Sequence, residues 1–362
     1  MIRKRNFFAK LFQTIKYSSK RIREIIETVK PDVIIEDDIV TNPILARNKI
    51  PLVKLFSFNP LRMFPNDDLP PAGTGLPLND RINWEKYKKV LNIMLSNFKN
   101  FFQIIDDIYS PLWNDLNKWT IENEAPALPL NQFQYVSTNL NIALCPKPIF
   151  KIYAERVSLG EEWMVVNHLM RDKPKKFTIP EKLQKRGGKL ILFSMGTVGS
   201  TEVKVMKRLV DILAKSKHKF IVSKGSKHEE FELAENMWGE ASIPQLDILP
   251  LVDLVIFHGG NNTFTEAVYF GKPMIVMPLF GDQPDNAQLI VEAKIGFKLN
   301  LFTVTEKELL SAIDTLVEDK QIQQRVKSIS EEIRANSNLD VVVERIEYVA
   351  QNPKFPTVFE SH

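Results

Sequence analysis

A chain of 362 residues with 44% hydrophobic and 25% charged side chains has room for two domains of ordinary size, each with its own core. Its 48 basic and 44 acidic residues leave a net charge of only +4, and no basic patch interleaved with aromatics marks it for nucleic acid. The one cysteine, Cys145, excludes an internal disulfide and suits a reducing, cytoplasmic setting, while no apolar run approaches the ~18 to 20 residues of a membrane span.

Met1 to Arg23 carries many Lys and Arg and no acidic residue, with apolar residues at 8, 11, 12, 15, 22, 25, 26 and 29. That spacing predicts one face of an amphipathic surface helix, broken or loosened near Ser18-Ser19. The composition also resembles a mitochondrial presequence, but Glu24 and Glu27 continue the helix without a cleavage-like signal. Pro31 to Asp38 reads as a helix stop and a short buried strand, Pro43 to Arg47 as helical, and Ile50 to Ser57 as the next strand. Asp37 and Asp38, at the end of the first strand, fit turn-forming or capping roles. Residues 58–80 are rich in Pro and Gly and predict a loop.

From Ile82 to Thr120, apolar positions including Trp84, Leu91, Ile93, Phe98, Phe101, Phe102 and Ile105 recur at helical spacing. They predict one long helix, or two broken before Pro111. Ile142 to Leu144 and Met164 to Val166 are strand-like, and the charged, Pro- and Gly-bearing stretch 172–188 suits an interdomain linker. Lys189 to Thr197 predicts a buried strand ending in a Gly-Thr turn, and Phe220 to Ser223 a further strand. Helices are expected near Glu306 to Val317, Lys320 to Asn336 and Val341 to Gln351.

The most informative stretch runs from Ile256 to Ala287. An apolar run, Leu254 to Phe257, ends in His258-Gly259-Gly260-Asn261-Asn262-Thr263; a helical pattern carrying Glu266 follows, then a strand near Met274 to Met277 that delivers Asp282-Gln283 into a loop. A Gly-rich turn entering a helix presents free N–H groups and the positive end of the helix dipole to an anion. Asn262 and Thr263 add side-chain donors, and Asp282 and Gln283 suit sugar hydroxyls. Thr263 and Glu266 also have the spacing of a capping box. His258 at a strand end fits either a satisfied structural histidine or a phosphate-facing one.

In order and spacing, Pro244-Gln245, His258-Gly259-Gly260-x-Asn262-Thr263, Glu266 and Asp282-Gln283 resemble the donor signature of the UDP-glycosyltransferases. That family glycosylates small lipophilic molecules, detoxification among its roles. The resemblance, to a soluble invertebrate-like or bacterial-like member, implies an α/β GT-B fold of two Rossmann-like domains with parallel sheets. Residues 1–171 would form the acceptor-side domain, 172–188 the linker, 189–337 the UDP-sugar domain, and 338–362 a helix crossing back plus a tail. It implies inverting transfer of a hexose, glucose foremost, from a UDP-sugar to an acceptor hydroxyl, with the UDP-sugar as co-substrate and no cofactor. No Asp-x-Asp triplet occurs for a metal–diphosphate device.

By the same resemblance Thr197, His258, Gly259, Gly260, Asn262 and Thr263 face the diphosphate, Glu266 the ribose, Gln245 the nucleoside side, and Asp282 and Gln283 the sugar. Asp37 matches the family's acidic partner of the catalytic histidine, with Asp38 in reserve. Phe56, Phe58 and Phe64 either border the acceptor pocket or fill the core. The chain departs from the family in two places. None of its five histidines, His168, His218, His228, His258 and His362, lies where the general base is expected. The resemblance thus implies an incomplete first domain and leaves open a truncated, inactive UDP-sugar-binding form. Where the family places a uracil-stacking tryptophan stands Ser242, with Trp238 further back.

Overall fold

Ten short strands form two separate parallel sheets in this computed structural model, which describes residues 2–46, 50–64, 67–97, 110–128, 133–170 and 176–354. Phe98, Phe101, Phe102 and Ile105 of the expected long helix lie outside the described residues, as do Arg47, positions 172–175 of the linker stretch and most of the tail. On either side of that interval run helices Arg81–Asn97 and Ser110–Glu122.

The first sheet holds β1 (Ile34–Glu36), β2 (Leu52–Phe56), β3 (Leu140–Leu144) and β4 (Trp163–Val166), paired in that order. Parallel strands need both faces covered. One side of this sheet is closed by the last helix, Leu339–Gln351, whose Val342 and Val349 bury against Val53, Leu140, Ile142 and Val166. The opening helix is one continuous element, Ile2–Val29. The Ser18 and Ser19 hydroxyls donate back to the Ile15 carbonyl, which absorbs the polar pair without breaking the helix. Phe12 and Ile15 then pack with Val40, Leu116 and Leu128.

The second sheet holds β5 (Leu190–Ser194), β6 (Lys219–Ser223), β7 (Met237–Glu240), β8 (Leu254–Phe257), β9 (Met274–Val276) and β10 (Gly296–Lys298). Its order is β10-β9-β8-β5-β6-β7. The chain moves outward one way from β5 and then the other way from β8, so the topological switch point lies between those two strands. A crevice opens there at the carboxyl ends of the strands, the place where open α/β sheets bind ligands. Among the described residues no helix is long and apolar enough to cross a membrane.

The two halves share a core. Leu61, Phe64, Ala143 and Phe150 belong to the same buried cluster as Leu190, Val255, Phe257 and Ala287. Over this lies a polar clasp. The loop after β2 lays its backbone against helix Gln283–Glu292. Asn59 N donates to Asp282 Oδ2 (2.8 Å), Gly73 N and Gly75 N donate to the two oxygens of Asp285 (2.6 and 2.9 Å), and Leu78 N donates to Glu292 (2.7 Å). Gly75 sits at φ 59°, and a Cβ there would come within 2.5 Å of the Pro284 carbonyl oxygen. Only glycine permits both the left-handed turn and this approach.

Burial raises the Asp285 carboxyl from its ordinary 3.8 to about 6, the two glycine N–H groups offsetting only part of the desolvation. A proton therefore binds the folded state more tightly than the unfolded chain. The group contributes stability that is complete below about pH 4 and is lost as the pH rises through about 6. Urea unfolding of the parent and of Asp285→Asn should show the parent-minus-variant stability falling by up to roughly 3 kcal/mol between about pH 4 and about pH 7. A difference that stays flat with pH would contradict the buried carboxylate.

Candidate functional site

At the switch point the second domain opens into a cleft of about 930 Å³, with Ser57 and Phe58 of the first domain on its opposite wall. The turn after β5 contributes Gly196 and Thr197, and the turn after β8 contributes His258, Gly260, Asn261 and Asn262. Thr263 and Glu266 follow on helix Asn261–Tyr269, which begins at the cleft. Ser242 to Asp247 line the far end, and Asp282 the near end.

Local geometry explains each placement. Gly259 has φ 92°, and a Cβ on it would lie 2.8 Å from the Gln283 carbonyl oxygen and 2.9 Å from Val276 Cγ1. The turn therefore packs flat on the next strand and the next helix, which aims the Asn261 helix start at the cleft. The His258 ring is half-buried between two further glycines. A Cβ on Gly196 or on Gly260 would come within 2.5 Å of the ring's Cε1 or Nε2, respectively. Burial holds this imidazole below its ordinary value; the facing Ser194 backbone opposes the effect without prevailing. Its buried Nδ1 has no partner in hydrogen-bond geometry.

The helix starts at Asn261, with Gly260 as its N-cap and no side-chain cap. Thr263 and Glu266 thus lie within the first turns and form no capping box. Both turn to Gln245 instead, whose Nε2 donates to Thr263 Oγ1 (3.2 Å) and Glu266 Oε2 (2.6 Å). Residues 18 and 21 positions apart in sequence so make one polar cluster along the cleft. Asp282 lines the cleft while its Oδ2 accepts from Asn59 N and from Asn286 Nδ2; burial, the largest influence, raises its carboxyl above the ordinary value. Gln283 is buried beneath the loop, its Oε1 accepting from the Leu279 and Phe280 N–H groups (2.9 and 3.2 Å). Neither Gln283 nor Gly259 is among the lining residues.

On the first-domain side, Asp37 is exposed and stands behind the cleft wall, where its Oδ1 accepts from Ser57 Oγ at 2.7 Å. Asp38 caps its own turn by accepting from Val40 N. Just before them, at the end of β1, Glu36 points inward and pairs with the buried Lys54 at 2.7 Å. Phe56 and Phe64 are core residues around Trp163 (centroids 5.4 and 4.8 Å away), and Phe58 lines the cleft. Ser242 faces the cleft, whereas Trp238 packs against Phe177 (5.8 Å) away from it. Among the described residues no group of three or more His, Cys, Asp or Glu side chains is placed to hold a metal ion.

Sequence reasoning passed over three contributors: Ser57, Asn59 and Asn261. Only Asn261 carried a usable signal, its place inside the Gly-rich turn.

A family model described as UDP-glucoronosyl and UDP-glucosyl transferase matches residues 89–353. The chain belongs to that family. Similar curated members include the uncharacterized UDP-glucosyltransferase YdhE of Bacillus subtilis (strain 168), 27% identical over 224 residues, which is 60% of this chain and 56% of that protein. UDP-glucuronosyltransferase 2B13 of Oryctolagus cuniculus is 38% identical over 114 residues, 30% of this chain and 22% of that one. The matches to the two Bacillus members, YdhE and the NDP-glycosyltransferase YjiC, span 56% and 59% of their lengths.

Among solved structures, the glycotransferase of kitacinnamycin superposes with a TM-score of 0.68 at 20% identity, covering 96% of this chain and 83% of its own. The glycosyltransferase VinC, solved with DTDP, gives 0.62 at 16% identity over 96% and 80%. At these identities what is shared is the fold, GT-B, with its two parallel-sheet α/β domains.

Gly259→Ala tests the turn that this family member builds at the switch point. The added methyl meets the Gln283 carbonyl oxygen and forces a left-handed alanine, so a stability loss of about 1–3 kcal/mol is expected in chemical unfolding. An unchanged midpoint would mean the turn relaxes without cost.

Proposed function

We propose that the cleft binds a UDP-sugar and that the chain transfers its hexose, glucose foremost, to a hydroxyl of a small lipophilic acceptor, with inversion and without a metal or other cofactor. The observation carrying this reading is the start of helix Asn261–Tyr269 at the switch-point cleft, flanked by a half-buried, partner-poor His258. A helix N-terminus stabilises a diphosphate both as bound and as leaving group, since its dipole and free N–H groups meet charge as it develops. Burial keeps the His258 imidazole neutral near pH 7, able to donate from one nitrogen.

In this scheme Thr197, Gly260, Asn262 and Thr263 hold the phosphates, and Glu266, braced by Gln245, takes the ribose hydroxyls. The Ser242–Gln245 segment flanks the uracil without an aromatic stack. Asp282 orients the sugar from the edge of the cleft, and Gln283 shapes the Leu279–Phe280 turn beside it. Positioning of the anomeric carbon against the acceptor then supplies much of the rate. The acceptor's proton passes to Ser57 Oγ on the opposite wall as Ser57 gives its own proton to Asp37 behind it.

A second reading, a UDP-sugar-binding chain without turnover, is favoured by that same wall. Its lining residues are Ser57 and Phe58, neither of them an imidazole base. Turnover of UDP-glucose with a simple phenolic acceptor, measured beside calorimetric UDP binding, separates the two. Turnover supports transfer, and binding alone supports the second reading. Asn262→Ala and Glu266→Ala should each weaken UDP binding about tenfold or more, the loss of a charge-assisted or multiply held hydrogen bond. UDP affinity equal to the parent's in both variants would refute the donor site.

A further inference from the structure

Helix Ile2–Val29 adds nothing to the cleft lining among the described residues, yet its charge is one-sided. Residues 1–23 hold eight Lys and Arg and no Asp or Glu, which leaves 40 basic against 44 acidic residues for the rest of the chain. The inner side of the helix is committed to packing: Phe12 and Ile15 meet Val40, Leu116 and Leu128, and the buried Ser19 faces Asn42. The outer side is a stripe. Lys10, Thr14, Tyr17, Arg21 and Ile25 follow one another at steps of three or four residues and are all exposed, with Lys20 and Arg23 beside them. Tyr17 is 88% exposed and Val29 65%. Lys16 pairs with Asp115 (2.9 Å) and Arg21 with Glu24 (3.0 Å), both at the surface, where such pairs hold their partners weakly.

Cations on a solvent-facing helix, with a tyrosine and aliphatic side chains exposed among them, match the chemistry of an anionic lipid surface. The cations meet headgroup charge, the phenol ring sits at headgroup depth, and the aliphatic chains reach the acyl boundary. Because the rest of the chain is slightly acidic, the attraction is confined to this face and orients the molecule. We propose that helix Ile2–Val29 docks the protein on a bilayer rich in anionic lipid, lying on the surface rather than crossing it. The docking goes beyond the UDP-sugar reading and does not depend on it. The fold gives it a direction. Phe12, Ile15 and Ser19 pack on Val40 and Asn42, in the segment that leaves the carboxyl end of β1. From the same turn Asp37 holds Ser57 of the cleft wall. The docked helix thus brings the first-domain wall of the cleft beside the lipid, where an acceptor of the lipophilic class proposed above concentrates.

Sedimentation of the full chain with lipid vesicles is the test. Vesicles of phosphatidylcholine and phosphatidylserine at about 3:1 should carry the protein down, and phosphatidylcholine alone should not. Raising the salt from about 0.1 M to about 0.5 M should release it, as a screened attraction requires. Lys10→Gln, Lys20→Gln and Arg23→Gln combined should weaken vesicle binding roughly a hundredfold, about fivefold for each lost charge. All three side chains are exposed, so this variant should melt like the parent. Its UDP affinity should also match the parent's, since none of the three lines the cleft, and the fate of the docking is thereby read apart from that of the donor site. Equal binding to both kinds of vesicle, binding to neither, or triple-variant binding equal to the parent's would overturn the proposal. A parent that binds the soluble polyanion heparin but neither vesicle carries a general anion patch, which overturns it as well.

Discussion

Two carboxylates at the start of one helix, Asp285 buried and Asp282 half-buried, hold the halves of the molecule in register. Asp282 and Asp285 accept backbone N–H groups from Asn59, Gly73 and Gly75, so a loop whose described part has only one short 3-10 turn, Pro60–Met63, is fixed at several points. The arrangement is costly, since burial raises both carboxyls, and a buried charge is tolerated only where donors converge on it. Its return is definition more than stability. Asn59 held against Asp282 sets where Ser57 and Phe58 face the second domain, and so gives the cleft its opposite wall. The Asn261 bond to Leu144 ties the same two halves from within the cleft.

The second sheet supplies the other constraint. Because its order reverses between β5 and β8, two turns that are far apart in the chain, at Gly196 and at Gly259, open side by side. Neither turn makes a site alone. Together with Gln245, Thr263 and Glu266 they give a groove with donors along one side and carboxylates at its ends, a distribution suited to an anion flanked by hydroxyl-bearing rings.

Much of this was legible in the sequence, and the reasons are local. The strands β5, β6, β8 and β9 are short apolar runs with a glycine nearby, and the His258 to Thr263 segment announces a strand-turn-helix by composition alone, whereas β7 (Met237–Glu240) and β10 (Gly296–Lys298) have no apolar run to mark them. The Gln245 pairing was not legible, because whether Thr263 caps a helix or turns sideways depends on where the helix begins, a matter of one or two residues. Gln283 and Asp282 share a loop in sequence but face different ways, one beneath the Leu279–Phe280 turn and one toward the cleft. Trp238 and Ser242 lie on one short segment, and only the pleat of β7 decides that the ring meets Phe177. The acidic run Glu36-Asp37-Asp38 was opaque for the same reason: alternation sends Glu36 inward to Lys54 and Asp37 outward to Ser57.

The His258 ring lies against the bare Cα atoms of Gly196 and Gly260, one from each of the two turns that open on the cleft. The imidazole therefore works as a spacer as well as a polar group: its thickness sets the gap between the turns. Three positions scattered over sixty-odd residues of chain are thereby locked into a single mechanical fit. A larger residue at either glycine, or a smaller ring at 258, changes the width of the groove before it changes any hydrogen bond.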